Sequence, residues 1–115
     1  MMPRRIDKPW GYELVWAESE LYIGKLLFLK AGTRSSLQMH KQKDETMFLE
    51  KGKVVMELPD SKDTEKVELK QGESIRIKPG TKHRINAITD AYIYEVSTSH
   101  MDDVVRFEDD YGRTK

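Results

Sequence analysis

Residues 32–45 read GTRSSLQMHKQKDE, and this stretch is the strongest indication of the fold in the chain. Gln38 and His40 are two positions apart, which in a β-strand places both side chains on one face. Glu45 begins the next apolar run, and His83 stands just after a Pro-Gly turn. Imidazole, carboxylate and amide groups all bind divalent metal ions. We therefore predict that these four side chains converge on a metal site inside a β-barrel.

Length and composition predict one globular domain of 115 residues. Twenty Lys and Arg balance twenty Asp and Glu, so the chain lacks the positive excess that suits nucleic acid or an anionic membrane surface. It contains no Cys, which excludes disulfides and thiolate ligands. Its first residues do not resemble a secretory signal, and no apolar run reaches the roughly 18–20 residues of a membrane span. We expect a cytoplasmic protein with no nucleic-acid or membrane partner.

Short apolar or alternating runs recur between Gly and Pro turns, without a long helical period. Strands are predicted at Tyr22–Lys30, Ser35–His40, Thr46–Glu50, Val54–Leu58, Glu65–Leu69, Ser74–Ile77, His83–Ile88 and Ala91–Ser97. Many short strands at near-regular spacing predict an all-β sandwich or barrel. The tail segment Asp102–Phe107 lacks a strand pattern, and we interpret it as a short helical turn with Asp at its N-cap.

The alternation also predicts which side chains face inward. If Gln38 and His40 point into the barrel, Ser36 and Arg34 lie on the same face. Buried apolar positions are predicted at Trp10, Leu27, Leu29, Leu49, Val55, Ile77, Ile93 and Val96. Such a cavity is polar at one end and apolar at the other, as small-molecule pockets are.

Each site residue has a simpler explanation when it is taken alone. A single His in a small protein is more often exposed or hydrogen-bonded than a metal ligand. Glu45 alone is typical of a solvated charge, and Arg34 alone of a surface charge. Their joint spacing is what favours the metal site.

This spacing resembles that of the cupins, a superfamily of small metal-binding β-barrels. Residues of the first cupin motif stand here at Gly32, Gln38, His40, Glu45 and Gly52, with Gln38 in the place of the first His. Residues of the second motif stand at Gly72, Pro79-Gly80, His83 and Asn86, with the Pro displaced by one position toward Gly80. The resemblance implies a double-stranded β-helix, or jelly-roll, barrel.

Nearly the whole chain is similar to the C-terminal domain of type II phosphomannose isomerases. The shared segments are Pro9-Trp10-Gly11, RSSLQMH at 34–40, GTKHR at 80–84 and DDVVRFEDDYGR at 102–113. The last string is the most diagnostic, because no generic barrel requires it. An Arg and a His of the family motif are replaced here by Lys43 and Thr46.

The resemblance implies one cupin domain over residues 1–115, with a leading segment at 1–20, a barrel at 21–98 and a tail at 99–115. It implies one divalent ion (Zn, Mn, Fe, Co or Ni) on the four predicted ligands and a small-molecule sugar phosphate or sugar nucleotide as partner. The leading activity is metal-dependent aldose–ketose isomerisation of the mannose-6-phosphate type. The alternatives are a sugar-binding cupin without turnover and another metal-cupin activity, such as dioxygenation.

Isomerisation requires a base that moves a proton between C1 and C2 of the sugar. Lys43 and Glu95 are the candidate catalytic residues. Arg34, Ser36 and Arg84 are candidate substrate-binding residues, since a guanidinium binds phosphate well.

Cupins commonly dimerise, and aromatic residues of the leading segment offer a contact for a homodimer. Those residues are Trp10, Tyr12 and Trp16. The alternative is that the same rings cap the chain's own barrel.

Overall fold

The computed structural model describes residues 2–63, 65–100 and 102–114, and all of the regular structure in these ranges is β-strand. The strands are β1 (Arg4–Lys8), β2 (Gly11–Glu18), β3 (Tyr22–Leu29), β4 (Leu37–His40), β5 (Glu45–Lys51), β6 (Val54–Glu57), β7 (Lys66–Leu69), β8 (Ser74–Ile77), β9 (Arg84–Ala87), β10 (Ala91–Thr98) and β11 (Val104–Glu108). The prediction of an all-β fold is therefore confirmed.

Two walls of antiparallel strands form the barrel. One wall is a six-stranded sheet in the order β1-β2-β3-β10-β5-β8. The other combines the pair β11-β4 with the sheet β7-β6-β9. Isolated bridges from Arg34 to Asn86 and from Gln38 to His83 connect the β11-β4 pair with the β7-β6-β9 sheet. Strand β4 thereby lies between β11 and β9, at the centre of the second wall.

Side chains alternate between the barrel interior and the solvent, as strand geometry requires. In β10 the buried positions are Ala91, Ile93, Glu95 and Ser97. Six of the predicted core residues are buried: Trp10, Leu27, Leu29, Leu49, Ile77 and Ile93.

Two core predictions are wrong because they violate this parity. Val96 lies three positions from the buried Ile93, so it faces the opposite side of β10 and is 51% exposed. Val55 is only half-buried because its neighbours Val54 and Met56 occupy the inward positions of β6.

The predicted helical turn in the tail is also wrong, because this segment forms strand β11. Val104 pairs with His40 and Arg106 with Gln38, so β11 covers the edge of β4 that would otherwise be open. The carboxylate of Asp103 does not cap a helix. Its Oδ2 accepts hydrogen bonds from the backbone N–H groups of Gln42 and Lys43, at 2.6 and 2.9 Å. The tail therefore holds the turn that follows His40.

The leading segment contributes strands β1 and β2 to the six-stranded sheet. Trp10, between them, is buried in the core and faces the chain's own barrel. Trp16 is half-exposed, and its ring meets Tyr94 edge-on with centroids 6.5 Å apart. No helix within the described ranges is long and apolar enough to cross a membrane.

Candidate metal centre and its cavity

Backbone hydrogen bonds bring the predicted metal ligands together from three places in the sequence. Gln38 and His83 exchange two of them, at 3.0 and 2.8 Å, which fixes β4 against the residue that precedes β9. The N–H of Gly80 donates to the carbonyl of His40 at 2.7 Å. Gly80 has a φ of 81°, a conformation that suits glycine and lets the Pro-Gly turn close on His40. Glu45 is the first residue of β5.

Three of the four predicted ligands form one buried group. One ligand atom from each of His40, Glu45 and His83 lies within 4.8 Å of the others. His40 Nε2 is 3.3 Å from Glu45 Oε2, and His83 Nε2 is 3.8 Å from Glu45 Oε1. All three residues are less than a tenth exposed. The arrangement gathers two imidazole nitrogens and a carboxylate around one point, which is a donor set suited to a divalent ion.

The hydrogen bonding of His83 fits a metal ligand. Its Nδ1 lies 2.9 Å from the carbonyl oxygen of Thr81, so Nδ1 carries the proton and donates, leaving the Nε2 lone pair free. That Nε2 is buried and makes no hydrogen bond with any part of the chain that the structure describes. A buried nitrogen without a partner is costly, and a metal ion would satisfy it.

Burial also keeps both imidazoles neutral, as metal coordination requires. Desolvation, reinforced by the charge of Lys43 and by His83, lowers the pKa of His40 to about 4. Desolvation likewise lowers the pKa of His83. Both side chains therefore present lone pairs at neutral pH.

Gln38, the fourth predicted ligand, lines the same cavity. Its Oε1 accepts a hydrogen bond from the Ser36 hydroxyl at 3.2 Å, and Ser36 is itself buried and lines the cavity. The two polar side chains support each other beside the His–Glu–His group. The ligand role of Gln38 and the substrate role of Ser36 stay predictions.

The two candidate catalytic residues lie next to each other and next to the group formed by His40, Glu45 and His83. Lys43 Nζ is 3.1 Å from Glu95 Oε2 and 3.2 Å from Glu45 Oε2. Burial alone would lower the pKa of Lys43, but Glu95 and Glu45 outweigh it and raise this pKa above its usual value. One ammonium thus bridges two buried carboxylates.

The two carboxylates respond to this shared cation in opposite ways. Burial, followed by repulsion from Glu95, raises the pKa of Glu45 to about 7 despite Lys43. Burial would also raise the pKa of Glu95, but Lys43 and Lys25 hold it below its usual value. Glu95 is therefore the carboxylate that keeps its negative charge at neutral pH.

The structure does not bring the predicted Arg34 and Arg84 into the cavity. Arg34 forms a two-point ion pair with Asp110, at 2.6 and 2.8 Å, on the exposed side of its segment. Arg84 is buried, and its guanidinium donates to the carbonyls of Ser35 and Glu108 at 3.0 and 3.1 Å. Arg84 thus ties the tail to the start of the β4 segment, and its role as a substrate ligand stays a prediction without support from this geometry.

Several cavity residues were missed by sequence reasoning. The cavity has an empty volume of about 690 Å³ including its open mouth, and its additional charged residues are Lys8, Glu13, Lys25, Arg106 and Arg113. Lys25 and Glu13 form a buried ion pair at 3.1 Å. The alternation of side chains along β3 could have identified Lys25. Lys25 lies on the same face of β3 as Leu27 and Leu29, so its charge occupies an inward position.

The comparisons with known proteins agree with this architecture. The family model described as "Mannose-6-phosphate isomerase C-terminal" matches residues 1–109. Xanthan biosynthesis protein XanB of Xanthomonas campestris pv. campestris (strain B100) is 32% identical over 117 aligned positions, covering 96% of this chain and 24% of XanB. The chain thus spans about a quarter of the length of the curated relatives it matches.

Solved structures share the fold at lower identity. KdgF from Halomonas sp. has a TM-score of 0.76 at 18% identity, covering 87% of this chain and 91% of that chain. A sugar phosphate isomerase of the cupin superfamily from Silicibacter pomeroyi DSS-3 has a TM-score of 0.68 at 20% identity, covering 84% of this chain and 64% of that one. These likenesses confirm the predicted cupin fold. The family match, supported by the XanB similarity, shows that the chain belongs to the mannose-6-phosphate isomerase C-terminal family.

Proposed function

We propose that this cupin is a metal-dependent sugar-phosphate isomerase that interconverts an aldose phosphate and its ketose, with mannose 6-phosphate as its first substrate to test. The observation that carries the proposal is the contact between the His–Glu–His group and the Lys43–Glu95 ion pair. Isomerisation needs an electrophile at the carbonyl and a base within reach of the adjacent carbon. This cavity offers a candidate for each, side by side.

The proposed metal ligands are His40, Glu45 and His83, with Gln38 as the fourth. A divalent ion bound there would supply Lewis-acid polarisation of the sugar carbonyl. The orphaned Nε2 of His83 supports this assignment, because no described part of the chain satisfies it. Neutral imidazoles beside a carboxylate suit Zn, Mn, Fe, Co or Ni alike.

Glu95 is the better candidate for the base of the two that the sequence suggested. Its carboxylate stays ionised because Lys43 and Lys25 lower its pKa, so it can accept a proton from C2 and return it to C1. Lys43 stays protonated, because Glu95 and Glu45 raise its pKa. We assign Lys43 the role of holding the charge and position of Glu95 during the transfer.

The test is proton exchange at C2 of the sugar. Metal-loaded protein is incubated with mannose 6-phosphate in deuterium oxide, and the C2 proton and the ketose product are followed by NMR. We expect Glu95→Gln to slow exchange by roughly a hundredfold or more, the usual contribution of a general base. Glu50→Gln, an exposed change on β5, is the matched control and should exchange at the wild-type rate.

The outcome also separates the competing function. If the metal-loaded wild type binds sugar phosphates but exchanges no C2 proton, the chain is a sugar-phosphate-binding cupin without turnover. Lys43→Arg restores the residue type of the family at that position. A gain of exchange in this variant would show that the chemistry was lost there.

We also propose a homodimer, formed through the outer face of the six-stranded sheet. The rings of Tyr12, Phe28 and Tyr92 pack there in tilted pairs with centroids 5.0–5.2 Å apart. Trp16 and Val96 on the same sheet are about half exposed. Exposed aromatic clusters are typical of interfaces.

The dimer is tested by light scattering. At micromolar concentration the wild type should show twice the monomer mass, and Trp16→Glu should show the monomer mass. A monomeric wild type would refute the dimer.

A further inference from the structure

We propose that Arg106, with Lys8 and Arg113, forms a phosphate-binding subsite at the β11 side of the cavity. This proposal rests on the proposed function, because it names the residues that would hold the phosphate of a sugar phosphate. It replaces Arg34 and Arg84, which the structure leaves outside the cavity.

Strand pairing directs Arg106 into the cavity. Arg106 of β11 lies directly opposite Gln38 of β4 in the antiparallel pair. Opposite residues in such a pair project to the same face of the sheet. Gln38 lines the cavity together with His40 and Glu45, and Arg106 lines it as well.

The charges that line the cavity do not cancel. Among the described residues, five cations and three carboxylates line the cavity: Lys8, Lys25, Lys43, Arg106 and Arg113 against Glu13, Glu45 and Glu95. Lys25 is paired with Glu13, Lys43 with Glu45 and Glu95, and Arg113 with Asp109 behind the cavity wall, so Lys8 and Arg106 supply the positive excess. A divalent ion would add to this positive excess. The cavity is therefore suited to a ligand with negative charge of its own.

Arg106 and Lys8 are the cavity cations that lack an ion-pair partner within the described ranges. The Nε of Arg106 is buried and makes no hydrogen bond with any described residue. A buried guanidinium donor left unpaired is costly, which points to a missing anion. Lys8 is half-buried at the end of β1. Desolvation lowers the pKa of Lys8; Glu13 opposes this shift, whereas the nearby charges of Lys25, Arg106 and Arg113 increase it.

Arg113 completes the subsite in a fixed orientation. Its Nε and Nη2 contact the buried carboxylate of Asp109 at 2.8 and 3.1 Å, which leaves Nη1 outside this two-point contact. A phosphoryl group accepts charge-assisted hydrogen bonds from several guanidinium and ammonium donors at once. The three cations thus provide the type of donor set that phosphate requires, next to the proposed isomerisation site.

The experiment compares ligands with and without phosphate. Isothermal titration of the metal-loaded protein is carried out with mannose 6-phosphate, mannose and inorganic phosphate. We expect Arg106→Gln to weaken mannose 6-phosphate and inorganic phosphate by roughly ten- to a hundredfold, the contribution of a charged hydrogen-bonding pair, and to leave mannose unchanged. Arg4→Gln, which changes an exposed arginine paired with Glu18, is the matched control and should bind all three ligands like the wild type.

Two results would overturn the subsite. One is an Arg106→Gln variant that keeps the full preference for mannose 6-phosphate over mannose; the other is loss of that preference in Arg34→Gln instead. If Arg106→Gln does not fold, Arg106→Lys keeps the charge and loses the guanidinium fork, and a weaker but remaining phosphate preference is expected. The subsite and the isomerase can fail separately. Phosphate binding through Arg106 without C2 exchange would support the subsite and refute the isomerase. C2 exchange with an unchanged KM for mannose 6-phosphate in Arg106→Gln would support the isomerase and refute the subsite.

Discussion

The two ends of the barrel interior are built from the same strands with opposite chemistry. Leu49 of β5 pairs with Ile93 of β10, and both are fully buried among apolar neighbours. A few residues away along the same two strands, Glu45 and Glu95 are nearly as buried but carry ionisable groups. The apolar end stabilises the fold by removing hydrocarbon from water. The polar end keeps charges out of water, which costs stability and is expected where a protein does chemistry.

The largest effect that we expect is the loss of metal binding at the polar end. The double substitution His40→Ala with His83→Ala removes both imidazoles from the His–Glu–His group, so no divalent ion should remain bound. Elemental analysis of the purified protein measures this directly. His100→Ala removes a histidine outside the group, hydrogen-bonded to Thr98, and should keep the metal content of the wild type. Full metal content in a folded double variant would rule out the site.

The next effect concerns the ion pair that the polar end depends on. Lys43→Met leaves the carboxylates of Glu45 and Glu95 buried without their cation, and we expect this to cost about 3–5 kcal/mol in the free energy of unfolding. Urea denaturation in the presence of a chelator measures the change. Arg76→Met breaks an exposed ion pair with Asp44 and should leave the urea midpoint nearly unchanged. Equal midpoints for the two variants would mean that Lys43 is not the partner of these carboxylates in solution.

A comparable effect is expected at the apolar end, where no charge is involved. Leu49→Ala removes a fully buried side chain from the core and should cost about 2–5 kcal/mol. Phe48→Ala, the neighbouring position on the outer face of β5, is the matched control because Phe48 is 38% exposed. We expect a clearly smaller loss there. A larger loss for Phe48→Ala than for Leu49→Ala would reverse the assigned parity of β5.

The fold could be predicted from sequence where local signals are strong. Turn residues and alternation located the strands from β3 to β10, because a half-buried strand carries its period in its own residues. Strands β1, β2 and β11 were not predicted. Strand β11 was missed because its pairing with β4 is a long-range contact. Val104 and Val105 favour a strand by their residue type, but the strand they pair with, β4, lies some sixty residues earlier in the chain.

The residues of the candidate site also divide into those that local sequence signals predict and those that depend on long-range pairing. The motif spacing was enough to bring together His40, Glu45 and His83. The cations of the cavity were assigned less well, because a surface arginine and a cavity arginine look alike in sequence. Arg34 is paired with Asp110 outside the cavity, whereas Arg106 enters it, and only the register of β11 against β4 separates the two.

The smallest effect that we expect is the pH dependence of the metal-free wild type, because the two histidines of the polar end and Glu45 act on stability in opposite directions. The folded-state pKa of His40, about 4, lies below its usual value of 6.5, so in this range the unfolded chain binds a proton that the folded chain does not, and acid favours unfolding. His83 acts in the same direction. The folded-state pKa of Glu45, about 7, lies above its usual 4.5, so the folded chain binds the extra proton and acid favours folding.

Removing Glu45 should leave the effect of the two histidines unopposed. Glu45→Gln deletes the group that acid stabilises, so between about pH 7 and about pH 5 this variant should lose roughly 2 kcal/mol more of its free energy of unfolding than the wild type does. Urea midpoints measured across this range in a chelator give the two slopes. Glu50→Gln, an exposed carboxylate on the same strand, should follow the wild-type slope. Parallel slopes for Glu45→Gln and the wild type would mean that Glu45 takes up no proton on folding, and that Lys43 neutralises both of its carboxylate neighbours rather than Glu95 alone.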